Sequence, residues 1–420
     1  MRFGICTLDE FDLQGKTVLC RVDMNQPVDR EAGTLKSTAR IEACAVTVKK
    51  MRDSGAKVVL LAHQGSDIEY KNYWSTEPHA KVLSELLGSP VKWIDDVCGP
   101  AARAQIKALK NGEVLLLDNV RFMAEEQTLF ETNLKLTHEQ QAKTQVVAKL
   151  APLADLYVCD AFAAAHRDQP TLCGFEQLLP SAMGLLFEKE YCVVSSLMEE
   201  PERPCTFVLG GAKIADAFMM MSTVLDGGGA DRVLTGGLVA NIMLIAAGKA
   251  VGKGSEDFIR SSGYWNFVDT AKEILAKHNS KIVLPVDLAY VKDGKRAECP
   301  VDEVPGEIGA VDIGTETAKL YAQVIAGSRT IFMNGPMGVF EKPETAFGTE
   351  SVMKAMADSK GFSVIGGGDS VTAAKQFGVK NRIGYICTGG GALIRFLTGE
   401  ELPVVKALRH AAATFGSDRK

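Results

Sequence analysis

Ten cysteines are scattered through the 420 residues, without a CxxC pair or the Cys/His spacing of a metal module. The pattern excludes a disulfide framework and a zinc finger and predicts reduced thiols in a core. Positive charge is not in excess. The formal net charge is −5, which argues against a nucleic-acid partner. No stretch supplies the roughly 20 apolar residues of a membrane helix; the most apolar helix-like run, 238–247, is too short. The opening MRFGICTLDEFDL has an early acidic pair and no apolar segment, so no secretory signal is expected. Internal repeats and low-complexity segments are missing as well. These absences predict a cytoplasmic, globular protein with no membrane partner. Two phosphate motifs are also lacking. The nearest approach to a Walker A loop, GKAVGKG at 248–254, has the wrong spacing and no Ser or Thr after its lysine. No GxGxxG precedes a ribose-binding acid by some twenty residues, so no dinucleotide site is expected.

The length exceeds one ordinary core and predicts two domains. In the first half, strand patterns at 17–22, 57–62, 114–117 and 156–159 alternate with helical patterns at 39–53, 77–87, 101–109 and 138–150. Short connections between them imply a parallel sheet with helices on both faces. A helix over 185–199, closed by Pro201 and Pro204, is the expected connector. Alternation then restarts, with strands at 205–209, 232–234, 281–285, 330–333, 362–365 and 383–387. Helices at 269–278 and 316–326 lie between them, and a terminal helix at 403–415 follows.

The densest local signal is GFSVIGGGDSVTAAKQFG at 361–378. A short buried strand runs straight into Gly366, Gly367 and Gly368, where backbone can turn tightly or approach a ligand. Asp369 and Ser370 then offer N-cap chemistry to a helix over 371–377. Strand, glycines and helix start make an anion cradle, because free N–H groups and the helix dipole converge. The device recurs after the strand at 383–387, with Thr388, Gly389, Gly390, Gly391 and Ala392. Two such turns suit a polyphosphate, although a strand-to-helix corner of this kind also occurs without a ligand.

In open parallel sheets, ligands bind beyond the carboxyl ends of the strands. In the first half those positions carry Arg21, Asp23 and Asn25, then His63, then Asn119 and Arg121, then His166 and Arg167. Arg40 opens the helix after the first strand. Cations from several loops at one edge suit a phosphorylated or carboxylated small molecule. The second half has glycines in the same places: Gly210, Gly211 and Ala212 before Lys213, then Gly236 and Gly237, then NGPMGVFE at 334–341. Lys213 is placed to reach a phosphate, and Glu341 to hold ribose hydroxyls. The residues therefore predict an anionic small molecule in one half, a nucleotide in the other, and phosphoryl transfer between them.

With RVDMNQP (21–27), His63-Gln64-Gly65, AFAAAHR (161–167), GGAK (210–213), NGPMGVFE, GGGDS (366–370) and TGGGA (388–392), the chain resembles the phosphoglycerate kinase family over essentially its whole length, in an archaeal-type branch. The resemblance implies two Rossmann-like three-layer α/β/α domains joined by a hinge helix, with a cleft between them. It divides the chain into 1–184 for 3-phosphoglycerate, the connector at 185–200, 201–399 for the nucleotide, and 400–420 returning to the first domain. It implies reversible transfer between ATP and 3-phosphoglycerate, giving ADP and 1,3-bisphosphoglycerate, with Mg²⁺, in a monomer. Asp23, Asn25, Arg40, His63, Arg121 and Arg167 look like acceptor ligands, with Arg21, Gln64, Gly65, Ser66 and His166 beside them. Gly211, Ala212, Lys213, Gly236 and Gly237 look like nucleotide ligands. So do Asn334, Pro336, Gly338, Val339, Glu341 and Gly366 to Ser370, with Asp369 near the metal. Arg40, Lys213, Gly367 and Gly390 would by resemblance steady the transferring group.

Three departures stand out. Ser66 replaces a family arginine, which removes a charge-assisted hydrogen bond worth about 1.5–3 kcal/mol unless Lys71 stands in. Ala217 replaces a second lysine, and Arg395 replaces a glutamate. Loss of the Ser66-position cation leaves two alternatives open, a kinase for another small carboxylate or a catalytically weak relative kept for binding.

Overall fold

The computed structural model describes residues 1–29, 31–65 and 73–416. The chain forms two compact units, Met1–Cys192 with the chain from Glu401 onward, and Val193–Glu400. The division falls inside the helix Leu185–Glu199. Among the described residues no helix is long and apolar enough to cross a membrane.

The first unit is built on a six-stranded sheet: β1 (Thr17–Arg21), β2 (Lys57–Leu61), β3 (Val91–Ile94), β4 (Val114–Leu117), β5 (Leu156–Cys159) and β6 (Ser181–Met183), in the order β3-β4-β2-β1-β5-β6. Every pairing is parallel. The four central strands are almost wholly buried, which is why they read as unbroken apolar runs. The two edge strands, β3 and β6, had no such signature and were not expected. Connections run to opposite sides on either hand of β1, so the topological switch lies between β1 and β5.

In the second unit β7 (Cys205–Leu209), β8 (Arg232–Thr235), β9 (Ile282–Val283), β10 (Thr330–Asn334), β11 (Phe362–Gly366) and β12 (Tyr385–Ile386) take the order β9-β8-β7-β10-β11-β12, all parallel. The switch point is between β7 and β10, where a doubly wound sheet opens a crevice. The expected strands at 281–285 and 383–387 shrink to the two-residue edge strands β9 and β12. A small antiparallel sheet of Asp287–Lys292, Lys295–Pro300 and Asp312–Ile313 was not expected at all.

Local chemistry sets the element boundaries. The helix Leu185–Glu199 starts where Asp160 Oδ1 accepts the N–H groups of Leu186 (2.9 Å) and Phe187 (3.2 Å) and Thr47 Oγ1 accepts that of Leu185 (3.0 Å). These acceptors satisfy donors that have no intrahelical partner. The single helix expected over 138–150 is two, His138–Gln141 and Gln145–Leu150. Extended Thr144 breaks it, and the Glu125 carboxylate caps the second piece at the N–H groups of Gln145 and Val146. The terminal helix Pro403–Thr414 packs on β6 and on the helix Pro170–Cys173 within the first unit.

Candidate functional site

In the first unit the loops after β1, β2, β4 and β5 meet at the switch point. Asp23 Oδ2 accepts Arg40 Nη1 at 2.6 Å. Asn25 Oδ1 accepts the Gly65 N–H at 3.0 Å, and Arg121 Nη1 donates to the Gly65 carbonyl. Asn119 is fully buried and stitches the floor: its Oδ1 accepts the N–H groups of Gln64 and Arg121, and its Nδ2 donates to the carbonyls of Gln64 and Trp74. Arg167 lies against Glu131 at 3.6 Å and Thr128 at 3.4 Å, and His166 beside it is half-buried.

His63 is the centre of this arrangement. Burial, followed by the positive fields of Arg21, Arg121, Arg40 and Arg167, pushes its pKa well below the usual histidine value. Arg21 Nη2 donates to its Nδ1 at 3.2 Å, so a neutral ring carries its proton on Nε2. A neutral donor in the positive field of four guanidinium groups is suited to an anion.

Two expected ligands are turned inward. Arg21 is 1% exposed. Its guanidinium donates to Thr171 Oγ1 (3.0 Å), the Val22 carbonyl (2.8 Å) and His63, so it reaches the site only through the imidazole. Gln64 is 2% exposed and its amide is spent on Gln26 and His79. Arg21 was placed at the site because it follows the first strand, and Gln64 by the resemblance; buried partners, Thr171 for the one and Gln26 and His79 for the other, hold both side chains in the core. Ser66 and Lys71 lie outside the described residues.

Sequence reasoning missed what stands behind Arg21. Thr171, held by Tyr157 Oη on its carbonyl (2.7 Å), donates its Oγ1–H to Glu126 Oε2 at 2.7 Å and its N–H to Oε1 at 2.6 Å. Glu126 is completely buried. Burial pushes its pKa up to about 7, against the opposing field of Arg21. The chain Glu126–Thr171–Arg21–His63 joins residues distant in sequence, and no spacing announces it.

A pH dependence follows from Glu126. The folded carboxyl keeps its proton up to about pH 7, whereas the unfolded chain releases it near the ordinary glutamate value. Its contribution to stability is therefore full at low pH and is lost as pH rises through about 7. Glu126→Gln cannot ionise, so its melting midpoint should fall less than that of the wild type between about pH 5 and about pH 8. Other carboxyls pushed up by burial, Asp160 to about 7, Asp312 to about 6 and Glu176, keep a slope in both proteins. Parallel midpoint curves would remove Glu126 from the account.

In the second unit, the β7 and β10 loops interlock at the switch point. Gly210 and Gly211 donate N–H to the carbonyls of Asn334 (3.0 Å) and Pro336 (2.8 Å), and Gly237 donates to Met337 (2.6 Å). Gly335 has φ +87°, and a Cβ there would overlap the Gly210 carbonyl oxygen, so glycine is required by both conformation and space. Gly236 is extended, and space alone requires glycine there, because a Cβ would overlap Met337.

The cradle after β11 is capped differently from expectation. Gly367, at φ +85°, is the N-cap, and the helix is Gly368–Gln376. Ser370 Oγ accepts the Gly335 N–H at 2.8 Å, which ties the cradle to the β10 loop and leaves the helix start open. The first intrahelical bond is from Val371 to Gly367, so the amides of Gly368, Asp369 and Ser370 precede it. Gly366 is buried against Leu393 and Phe332 and acts as packing. The second cradle opens the helix Gly390–Leu397, with Gly390 at φ +52°.

Lys213 is exposed at the N-cap of Ile214–Asp226, and among the described residues its ammonium has no partner. With Ala212, Ala217, Asn334, Gly335 and Gly367 to Ser370 it lines a small recess. Beside it lies a cavity of ≈ 570 Å³ lined by Gly211, Gly237, Pro336, Gly338, Val339, Glu341 and Asp369. Its far wall was not expected: Ser255 and Phe258 come from the helix Lys253–Ser261, and Gly309 to Ile313 from the region of the unforeseen antiparallel sheet. Asp312 in that wall accepts Arg296 Nη1 at 2.8 Å and the Gly348 N–H at 2.7 Å. Arg395 pairs with Glu400 at 3.5 Å in the same unit.

Cationic loops beyond one parallel sheet and open glycine loops beyond another place the chain in the class of two-unit α/β kinases. A family model described as "Phosphoglycerate kinase" matches residues 8–400. A phosphoglycerate kinase of Methanothermobacter thermautotrophicus is 47% identical over 97% of this chain and 98% of its own length. One from Thermococcus kodakarensis is 42% identical over 96% of each chain. The crystal structure of phosphoglycerate kinase from Pyrococcus horikoshii OT3 superimposes with a TM-score of 0.83 at 41% identity, over 98% of this chain and 100% of that one. The chain belongs to the phosphoglycerate kinase family.

Proposed function

We propose that the protein is a phosphoglycerate kinase, transferring the γ-phosphoryl group of ATP to the carboxylate of 3-phosphoglycerate, reversibly, as a cytoplasmic monomer in glycolysis or gluconeogenesis. The observation that carries this reading is the gathering of Arg40, held by Asp23, Arg121, held on the Gly65 carbonyl, and buried His63, held by Arg21, in the loops beyond one sheet, in a chain whose second unit opens two glycine cradles and a lysine with no partner among the described residues.

In this reading Arg40, Arg121 and Arg167 hold the acceptor's anionic groups, and His63 offers its Nε2–H. Asp23 and Asn25 fix Arg40 and the Gly65 turn. The base and ribose take the larger cavity, with Glu341 on the ribose hydroxyls. Lys213 and the amides of Gly368 to Ser370 meet the phosphates. The acceptor carboxylate is already ionised at neutral pH, so no general base is needed. Its oxygen bonds to the γ-phosphorus as the bond to ADP breaks, and no proton moves. Arg40, Lys213 and the amides of the Gly367 and Gly390 loops meet the charge on the equatorial oxygens.

Asp369 fits a Mg²⁺ ligand. It is an exposed carboxylate among the cradle amides, without a partner among the described residues. Magnesium usually takes one or two carboxylates and completes its shell with phosphates and water. When bound it neutralises charge on the nucleotide phosphates.

The test is ADP formation from ATP, Mg²⁺ and 3-phosphoglycerate, with a dehydrogenase consuming the acyl phosphate. Turnover that depends on 3-phosphoglycerate is expected. Nucleotide binding without turnover would overturn the reading. An acyl phosphate hydrolyses readily, so the units should close around both ligands to exclude water. Small-angle scattering should therefore record a smaller radius of gyration with both ligands than with either alone, and equal radii would refute closure.

A further inference from the structure

Two segments bring three chemically different side chains together behind the Arg167 loop: His138, opening its short helix, and Asp168 and Cys173, which flank and close the helix Pro170–Cys173. One ligand-capable atom of each lies within 4.8 Å of the other two. Among the described residues no other group of three histidine, cysteine or carboxylate ligands does so. His138 Nε2 stands 3.3 Å from Asp168 Oδ1. Neighbouring ligand atoms around tetrahedral zinc are about 3.3–3.8 Å apart, given its bond lengths. The imidazole and carboxylate already have that separation, and the Cys173 sulfur lies within 4.8 Å of both.

We propose that His138, Asp168 and Cys173 form a binding site for a thiophilic divalent cation of the zinc type, with the fourth position left to water. The surroundings support it. Cys173 is fully buried and forms the floor, with Sγ against the Arg167 carbonyl at 3.7 Å. The side chains of His138 and Asp168 are 14% and 41% exposed, so an ion reaches the site from solvent. The carboxylate is oriented in advance. Gln141, 1% exposed, donates Nε2 to Asp168 Oδ1 at 2.6 Å and to its carbonyl at 3.3 Å. The Asp168 N–H donates to Glu131 at 2.8 Å. Outer contacts of this kind are what orient metal ligands. His138, Gln141 and Cys173 all converge on the Asp168 carboxylate, so the other two ligand side chains already face the oxygen that would hold the ion. A set of nitrogen, oxygen and sulfur donors disfavours Mg²⁺ and Ca²⁺ and favours zinc. Binding releases the Cys173 thiol proton to solvent and changes no oxidation state. The ion is a clamp on the loop that presents Arg167, with no part in phosphoryl transfer.

Cobalt(II) is the probe. The full chain, stripped with a chelator, should bind about one equivalent of Co²⁺ with the visible bands of a tetrahedral site and a thiolate-to-cobalt charge-transfer band, both lost on adding Zn²⁺. Cys173→Ser should abolish the charge-transfer band, and His138→Asn should weaken binding at least about tenfold. Circular dichroism checks that each variant is folded. If Cys173→Ser does not fold, His138→Asn at the rim decides. No charge-transfer band in the wild type, or one that survives in a folded Cys173→Ser protein or is undiminished in His138→Asn, overturns the site.

Discussion

Lys213→Ala should lower kcat by about 10²–10³-fold while changing the KM for ATP by only a few-fold. The expectation rests on the position of the ammonium. Lys213 follows the glycine turn after β7, lines the recess with the Gly367–Ser370 cradle, and has no carboxylate partner among the described residues. An unpaired cation there has nothing structural to do, so its removal should leave the fold intact. Charge grows on the equatorial oxygens as the group transfers, and a cation that meets it only then raises kcat without tightening ground-state binding. Ala217 lines the same recess, so no second lysine from that position shares the burden. Steady-state kinetics with saturating 3-phosphoglycerate decide the matter. A variant with unchanged kcat and a much larger KM would move Lys213 to ground-state binding of the nucleotide.

Arg21→Ala should destabilise the first unit by about 3–5 kcal/mol, the usual result of removing one member of a buried charged network. For a unit of this size that lowers the melting midpoint by roughly 10 °C. The guanidinium is fully enclosed and donates to Thr171, Val22 and His63, and its field is the largest effect opposing the raised pKa of Glu126. Without it, Glu126 has no compensating charge and His63 Nδ1 has no donor. The imidazole is then free to change tautomer, so the KM for 3-phosphoglycerate should rise more than that for ATP. Denaturant unfolding together with both KM values tests this. A stable variant with normal kinetics would mean that the network neither supports the fold nor orients His63.

Much of the architecture was legible because the strands of a covered parallel sheet are continuous apolar runs, and β1, β2, β4 and β5 each showed one. The edge strands escaped for different reasons: β3 is only half-covered and needs no such run, and buried β6 is only three residues long. The antiparallel sheet of 287–313 escaped for a related reason. Its strands carry charge, with Arg296 and Glu298 on Lys295–Pro300, and only pairing across the sheet makes them strands.

The sequence by itself determined the family, the two sets of loop residues and the glycines whose positive φ only glycine adopts readily, because these depend on local chain chemistry and spacing. Tertiary structure alone decided which of those side chains are buried and which remain exposed. It turned Arg21 and Gln64 into the core, made Ser370 a tie to Gly335, and brought Glu126, and separately His138, Asp168 and Cys173, into groups that no spacing announces. Strand position says where a residue lies. Burial and hydrogen-bond partners, which arise only when distant segments pack, say what its side chain can do.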